Sequence, residues 1–303
     1  MLLYNCFHSD DKSHDHVPFP SPGFPYVCIR TDMEKYADRR VPWHWHSSCE
    51  IVTVEQGTIE LRTSDQNLIL QKGDAAFVNK GVLHTYQAVS EEAAVQYANL
   101  FHADFLSGAY NSIFDEKYFQ PILRCTALQA WRVRPDSKMH LAMISAVLEA
   151  QTLVSEEPDG YEFDIRTQLC EFWKGLYQET DDLRTNAPVR NLADSERIKQ
   201  MMDYVQEHYN EPLTVDDIAA AAGISSRECS RCFHRCIGVS PIEHLTYFRV
   251  RAATAMLAET SKSVLEISED CGFSSSSYFS KVFRETTGLT PKAYQKKSKL
   301  SES

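Results

Sequence analysis

From Tyr26 to about Phe101 the chain alternates short apolar runs with glycine-bearing turns. Ile51–Glu55, Thr58–Arg62, Leu68–Leu70, Ala75–Val78, His84–Ala88 and Val95–Leu100 are rich in β-branched and aromatic residues, and Gly57, Gly73 and Gly81 punctuate them. Short strands at this spacing predict a sandwich or barrel. Between 104 and 179 the period becomes helical. Met139, Met143, Ile144, Val147, Leu148 and Gln151 form one stripe; Phe163, Ile165, Leu169, Phe172, Trp173 and Leu176 form another, after a break at Pro158 and Gly160. Each stripe is expected to pack on the β domain or on a second copy. Residues 1–25, with His8, His14, His16 and four prolines, read as an extended arm, and polar 180–194 reads as a linker.

The last hundred residues contain a repeat. Ile218 to Ser225, with Gly223 and Ile224, is followed by Cys229-Ser230-Arg231-Cys232-Phe233, Gly238 and Pro241. Ile267 to Ser274, with Gly272 and Phe273, is followed by Phe279-Ser280-Lys281-Val282-Phe283, Gly288 and Pro291. In each copy a short amphipathic helix ends at a glycine able to take a left-handed turn. Ile224 or Phe273 plugs the gap, and Ser225 or Ser274/Ser275 caps a second helix. That second helix is apolar on one side and polar on the other, as a helix entering a major groove must be. Pro241–Thr260 reads as one helix of about 30 Å, close to the ~34 Å between successive major-groove faces.

These motifs carry a resemblance. Residues 197–297 are similar to the DNA-binding domain of AraC-family transcription regulators, through Gly272-Phe273-Ser274, Tyr278-Phe279-Ser280-Lys281-Val282-Phe283 and Gly288-Leu289-Thr290-Pro291, with Arg249 and Ala252 in the linker helix. The resemblance makes Arg227, Glu228, Ser230 and Arg231 the base-reading candidates of the first unit, and Ser276, Ser277, Tyr278 and Lys281 those of the second. Arg235, Arg284, Lys292, Lys296, Lys297 and Lys299 suit phosphate contact. Cys229 departs from the family's larger aliphatic residue. Ser276-Ser277 departs from its longer amides, so the second unit is expected to use phosphate contacts and DNA shape more than base edges.

Composition first points away from DNA. The 303 residues carry a net charge of -11, and an acidic protein repels phosphates. All of that charge lies in residues 1–194, with 17 Lys+Arg against 28 Asp+Glu; residues 195–303 hold 14 of each. A neutral binding domain beside an acidic one predicts modest non-specific affinity and a shallow salt slope. Nine cysteines, no basic-apolar leader and no long apolar run fit free thiols in a cytoplasmic protein without a membrane partner. Cys229, Cys232 and Cys236 read as small core residues of a helix, in preference to a metal site.

The β domain holds a second constellation. His44, His46 and Glu50 share one parity, which on a regular strand aims them at one face, and His84 follows Gly73 and Gly81. Three imidazoles and a carboxylate suit Fe, Mn, Ni, Zn or Co. The segment resembles both motifs of the cupin fold, whose metal ligands fall on His44, His46, Glu50 and His84; Asn79 and Ala88 replace a usual proline and asparagine. Tyr86 is expected to face inward with His84. Trp43 and Trp45, of opposite parity, are expected to pack against helices. A divalent transition metal and the polar wall of an effector pocket remain alternative uses of these residues.

The expectation is an α+β two-domain protein: an arm (1–25), a cupin-like β-barrel with flanking helices that senses and dimerises (26–179), a linker (180–194), and an all-α domain of two helix-turn-helix units joined by a linker helix (195–298). The resemblance implies a cytoplasmic, homodimeric, non-enzymatic regulator that binds double-stranded DNA. It also implies control by a small-molecule effector, commonly a sugar or related metabolite, contact with RNA polymerase, and an allosteric mechanism. The competing class is a metal-dependent cupin enzyme, a dioxygenase or isomerase, carrying an appended DNA-binding domain.

Overall fold

A computed structural model describes residues 1–5, 19, 21, 23–109, 111–186, 193–287 and 289–301. The chain divides into two units, the second beginning at Ala193.

In the first unit the strands are β1 (Leu2–Tyr4), β2 (Tyr26–Asp32), β3 (Arg40–His44), β4 (Cys49–Gln56), β5 (Thr58–Thr63), β6 (Asn67–Gln71), β7 (Ala75–Val78), β8 (His84–Ala88), β9 (Val95–Phe101) and β10 (Ala130–Val133). They form a six-stranded sheet, β1-β2-β9-β4-β7-β10, and a four-stranded sheet, β3-β8-β5-β6. The helices are α1 (Ala103–Ser107), α2 (Gln120–Leu123), α3 (Lys138–Glu156), α4 (Tyr161–Glu179) and α5 (Asp181–Asn186).

Strand alternation divides the core in two. Val52 and Val54 of β4, Ala76 and Val78 of β7, and Tyr86 of β8 join Ile59 and Leu61 between the sheets. Ile51, Phe77 and Phe101 face the other way and pack with Val147, Phe172 and Trp173 of α3 and α4. The two central strands are therefore buried on both faces, which explains their nearly unbroken apolar runs.

All six predicted strands are present, and Ala75–Val78 and His84–Ala88 keep their predicted limits. Several expectations need correction. Leu2–Tyr4 pairs in parallel with β2 instead of extending as an arm. His8, His14 and His16 lie outside the described residues. Ala130–Val133, within the stretch read as helical, pairs antiparallel with β7; four residues are too few to show a period. Part of the linker, Asp181–Asn186, is helical. Leu148 and Phe163 are exposed, so each helical stripe is narrower than its apolar residues imply. Trp43 stands beside Arg62 of β5, 5.9 Å from guanidinium to ring.

The second unit comprises α6 (Ala193–His208), α7 (Val215–Ala221), α8 (Ser226–Ile237), α9 (Pro241–Glu259), α10 (Val264–Asp270), α11 (Ser276–Thr287) and α12 (Pro291–Ser301). Helix starts follow local chemistry. Thr214, Ser240 and Ser263 make reciprocal capping boxes with Asp217, Glu243 and Glu266. Ser225 accepts from the Glu228 N–H, and Ser275 (rather than Ser274) accepts from the Tyr278 N–H. Cys229, Cys232 and Cys236 are buried on α8, as small core residues.

Candidate functional site: a buried histidine cluster and two helix-turn-helix faces

Between the sheets, three strand ends deliver His44, His46, Glu50, His84 and Tyr86 to one place. His46 lies in the loop after β3, so the four ligand candidates do not share one regular strand. A β-bulge does what parity was expected to do. Val41 pairs with Tyr86 and His44 with His84, so three residues of β3 span two of β8. The loop that carries His46 is sewn to the β7–β8 turn by Gly81 N–H donating to the His46 carbonyl at 2.7 Å.

The ring nitrogens are oriented by backbone. His44 Nδ1 lies 2.8 Å from the Pro42 carbonyl, His46 Nδ1 2.9 Å from that of Ser48, and His84 Nδ1 2.8 Å from that of Val82. A carbonyl only accepts, so each Nδ1 donates and each Nε2 is the available ligand atom. His46 Nε2 and His84 Nε2 face Glu50 Oε2 at 3.2 and 3.0 Å. Tyr86 Oη donates to Glu50 Oε1 at 2.8 Å. One ligand atom from each of His44, His46, Glu50 and His84 lies within 4.8 Å of the others, and all four residues are buried.

Electrostatics sharpens the picture. Burial pushes the Glu50 carboxyl up, but the adjoining His46 and His84 rings outweigh it and hold it well below the usual carboxylate range. Burial, with His84 and His46 nearby, holds His44 well below its ordinary value. Burial and Glu50 push the Tyr86 hydroxyl up. A neutral His44 and an ionised Glu50 form a lone-pair-rich centre. Each Nε2 facing Glu50 needs a cation between the two acceptors, either an imidazolium proton or a metal ion. The cavity bordered by His44, Glu50 and Tyr86 is about 30 Å³. That volume takes a water or an ion, not a sugar.

On the second unit, Arg227 and Arg231 are exposed on α8, with Arg231 Nη1 3.4 Å from Glu228 Oε2. Ser230 Oγ donates to the Ser226 carbonyl within the helix. Arg235 pairs with Asp194 of α6 at 2.7 Å and Glu228 at 3.4 Å, so it ties α8 to α6. On α11, Ser277, Tyr278, Lys281 and Arg284 are exposed and Ser276 is half-buried; Lys281 approaches Glu285 at 3.9 Å. Lys292 and Lys296 are exposed on α12; nothing is described of the Lys297 and Lys299 side chains.

Two positioning contacts pair residues whose partners the sequence does not indicate. Ser226 Oγ donates to Asp216, joining the two helices of the first unit. Arg249 of α9 donates to the carbonyls of Tyr209 and Glu211, both at 2.7 Å, fixing the spacer helix to the end of α6.

A model of the AraC-like ligand binding domain matches residues 29–166, and a helix-turn-helix domain model matches 218–297. The chain belongs to the AraC family of transcription regulators. The HTH-type transcriptional regulator YdeC of Bacillus subtilis is 28% identical over 275 residues, covering 90% of this chain and 92% of its own. The HTH-type transcriptional activator RhaS of Enterobacter sp. is 26% identical over 278 residues, covering 90% and 93%. Among solved structures, ToxT from Vibrio cholerae O395 aligns at 12% identity and a TM-score of 0.45, over 91% of this chain and 98% of its own. This AraC-family chain is thus a DNA-binding transcription regulator with an N-terminal ligand-binding domain. Among the described residues, no helix is long and apolar enough to cross a membrane.

Proposed function

We propose that this regulator reads two successive major-groove faces of double-stranded DNA with α8 and α11, and that a divalent transition metal binds its N-terminal unit. The observation that carries the first part is the duplicated, serine-capped helix pair joined by the 19-residue α9. At about 1.5 Å per residue, α9 spans about 28 Å, near one turn of duplex. Arg227 and Arg231 contact bases or phosphates in the first groove, with Glu228 setting the orientation of Arg231 and Ser230 at the edge. Ser276, Ser277, Tyr278, Lys281 and Arg284 face the second. Arg235 acts through the Asp194 clamp.

The donor set supports the metal: three Nε2 atoms oriented by backbone carbonyls, and an ionised carboxylate. His44, His46, Glu50 and His84 hold the ion, and Tyr86 anchors Glu50. A bound ion supplies a fixed positive charge that ties β3, β4 and β8 together. The cavity of about 30 Å³ beside the cluster has no room for an organic substrate. That favours a regulator over a metal-dependent dioxygenase or isomerase. The chain works in the cytoplasm as a homodimer, under effector control and in contact with RNA polymerase.

A mobility-shift titration against the DNA upstream of the chain's own gene tests the reading. Saturable binding that survives excess unrelated duplex is expected; equal affinity for both duplexes overturns it.

A further inference from the structure

A second cavity lies in the N-terminal unit, away from the histidine cluster. Helix α4, α1 and the turn of Asp115–Phe119 enclose about 670 Å³. This falls within the ~300–1,000 Å³ typical of small-molecule sites. Its floor is built from core rings. Trp173, 2% exposed, stacks on Phe119 at 4.3 Å and 11°, and meets Phe77 of β7 edge-on at 5.7 Å. Trp173 Nε1 donates to the Tyr118 carbonyl at 3.1 Å, so the indole is fixed; with Phe119 only 4% exposed, the pair backs the cavity and offers no open ring face. At the mouth, Phe114 and Phe163 are 60% and 77% exposed. Large rings left in water beside a cavity gain free energy when an apolar body covers them.

The charges select one kind of apolar body. Arg166, Lys174 and Glu171 line the cavity, a net charge of +1. Arg166 Nε and Nη2 donate to the Phe105 and Leu106 carbonyls at 3.0 and 3.1 Å, which fixes the guanidinium plane. No bond from Nη1 is found among the described residues. Lys174 pairs with Glu171 at 3.6 Å, with both side chains largely exposed, a contact that solvent weakens. A fixed guanidinium lining the same cavity as two exposed aromatic rings suits an aromatic ring system carrying one carboxylate.

We propose that this groove binds aromatic monocarboxylates, and that such a molecule is the effector of the regulator. The second clause rests on the effector-controlled reading above; the first does not. The ring system packs against the exposed Phe114 and Phe163 rings, and the carboxylate accepts from Arg166.

The test uses full-length protein, calorimetric titration with biphenyl-4-carboxylate, and its neutral counterpart biphenyl-4-methanol. Saturable binding of the carboxylate is expected. Arg166→Gln should weaken it about tenfold while leaving the alcohol unchanged, and exposed Phe163→Ser should weaken both. Equal affinity of the wild type for acid and alcohol overturns the site, as does no saturable binding. Binding seen only after a dimer is diluted apart also overturns it, because a second copy then fills the groove. Mobility shifts with and without the acid test the effector role separately. An acid that binds without changing DNA occupancy overturns that role alone, and a chain that never binds DNA overturns the parent reading while the site stands.

Discussion

His44 lies directly across from His84 in the β3–β8 pair, ring centroids 4.1 Å apart, although Val41 three residues earlier already faces Tyr86. In a regular antiparallel pair, residues three apart point to opposite faces. The bulge absorbs one residue of β3 and returns His44 to the interior. Without it the centre would lose one imidazole to the outer face of the sheet.

The cluster is expected to hold a stoichiometric divalent transition metal, detected by elemental analysis of the purified chain. His44→Ala/His46→Ala should abolish it. Because the ion binds the folded chain, metal at a hundredfold excess over Kd should stabilise by about 2.7 kcal/mol, read as a higher Tm. Metal-free wild type with no Tm response would overturn the metal reading.

Arg231 and Arg235 sit one helical turn apart but should behave differently. Arg231 is exposed and only loosely paired to Glu228, so Arg231→Ala should cost ~1–3 kcal/mol in binding to the cognate duplex and leave the Tm nearly unchanged. Arg235→Ala removes the α6–α8 clamp and should lower the Tm of the second unit. Paired titrations and melting curves separate the two roles.

Two histidines tie stability to pH with opposite signs. His140 lies between Asp136 and Glu179, at 2.7 and 2.8 Å. Burial works against its charge, but the two carboxylates outweigh it and raise its pKa. Its contribution is therefore full below about pH 6.5 and is lost as pH rises through the raised value. His140→Gln should remove that loss in urea titrations between pH 6 and 9.

His244 of α9 is buried near the Phe233 ring, and burial together with Arg251 lowers it to about 4. The unfolded chain binds this proton first, so stability should fall from about pH 6.5 and level off near 4, by about 3 kcal/mol. His244→Leu should flatten this slope. An unchanged slope would assign acid sensitivity elsewhere.

The two turn glycines are equivalent in sequence and unequal in structure. Gly223 and Gly272 both have positive φ, +62° and +74°. A Cβ at Gly223 meets nothing within 4 Å, whereas one at Gly272 would lie 2.7 and 2.8 Å from the Tyr209 and Asn210 carbonyls. Gly223→Ala should cost about 1 kcal/mol of backbone strain. Gly272→Ala adds a clash with rigid backbone and should cost at least twice as much in urea denaturation.

Much of this molecule is local in origin, and the sequence alone determined it. Serine and threonine caps, glycine turns and the period of apolar residues act within a few positions, so six of the strands, the paired helix-turn-helix units and α9 were readable from order alone. The types of the metal-competent residues were equally plain. Tertiary structure decided what depends on neighbours distant in sequence. It converted Leu2–Tyr4 and Ala130–Val133 into edge strands, because a strand this short exists only by pairing. It turned His44 inward through a bulge and diverted Arg235 to Asp194. It also gathered Phe114, Phe119, Arg166 and Trp173 around one cavity. A residue's type and spacing state what it can bond; only the folded chain brings partners within the few ångströms over which those bonds act.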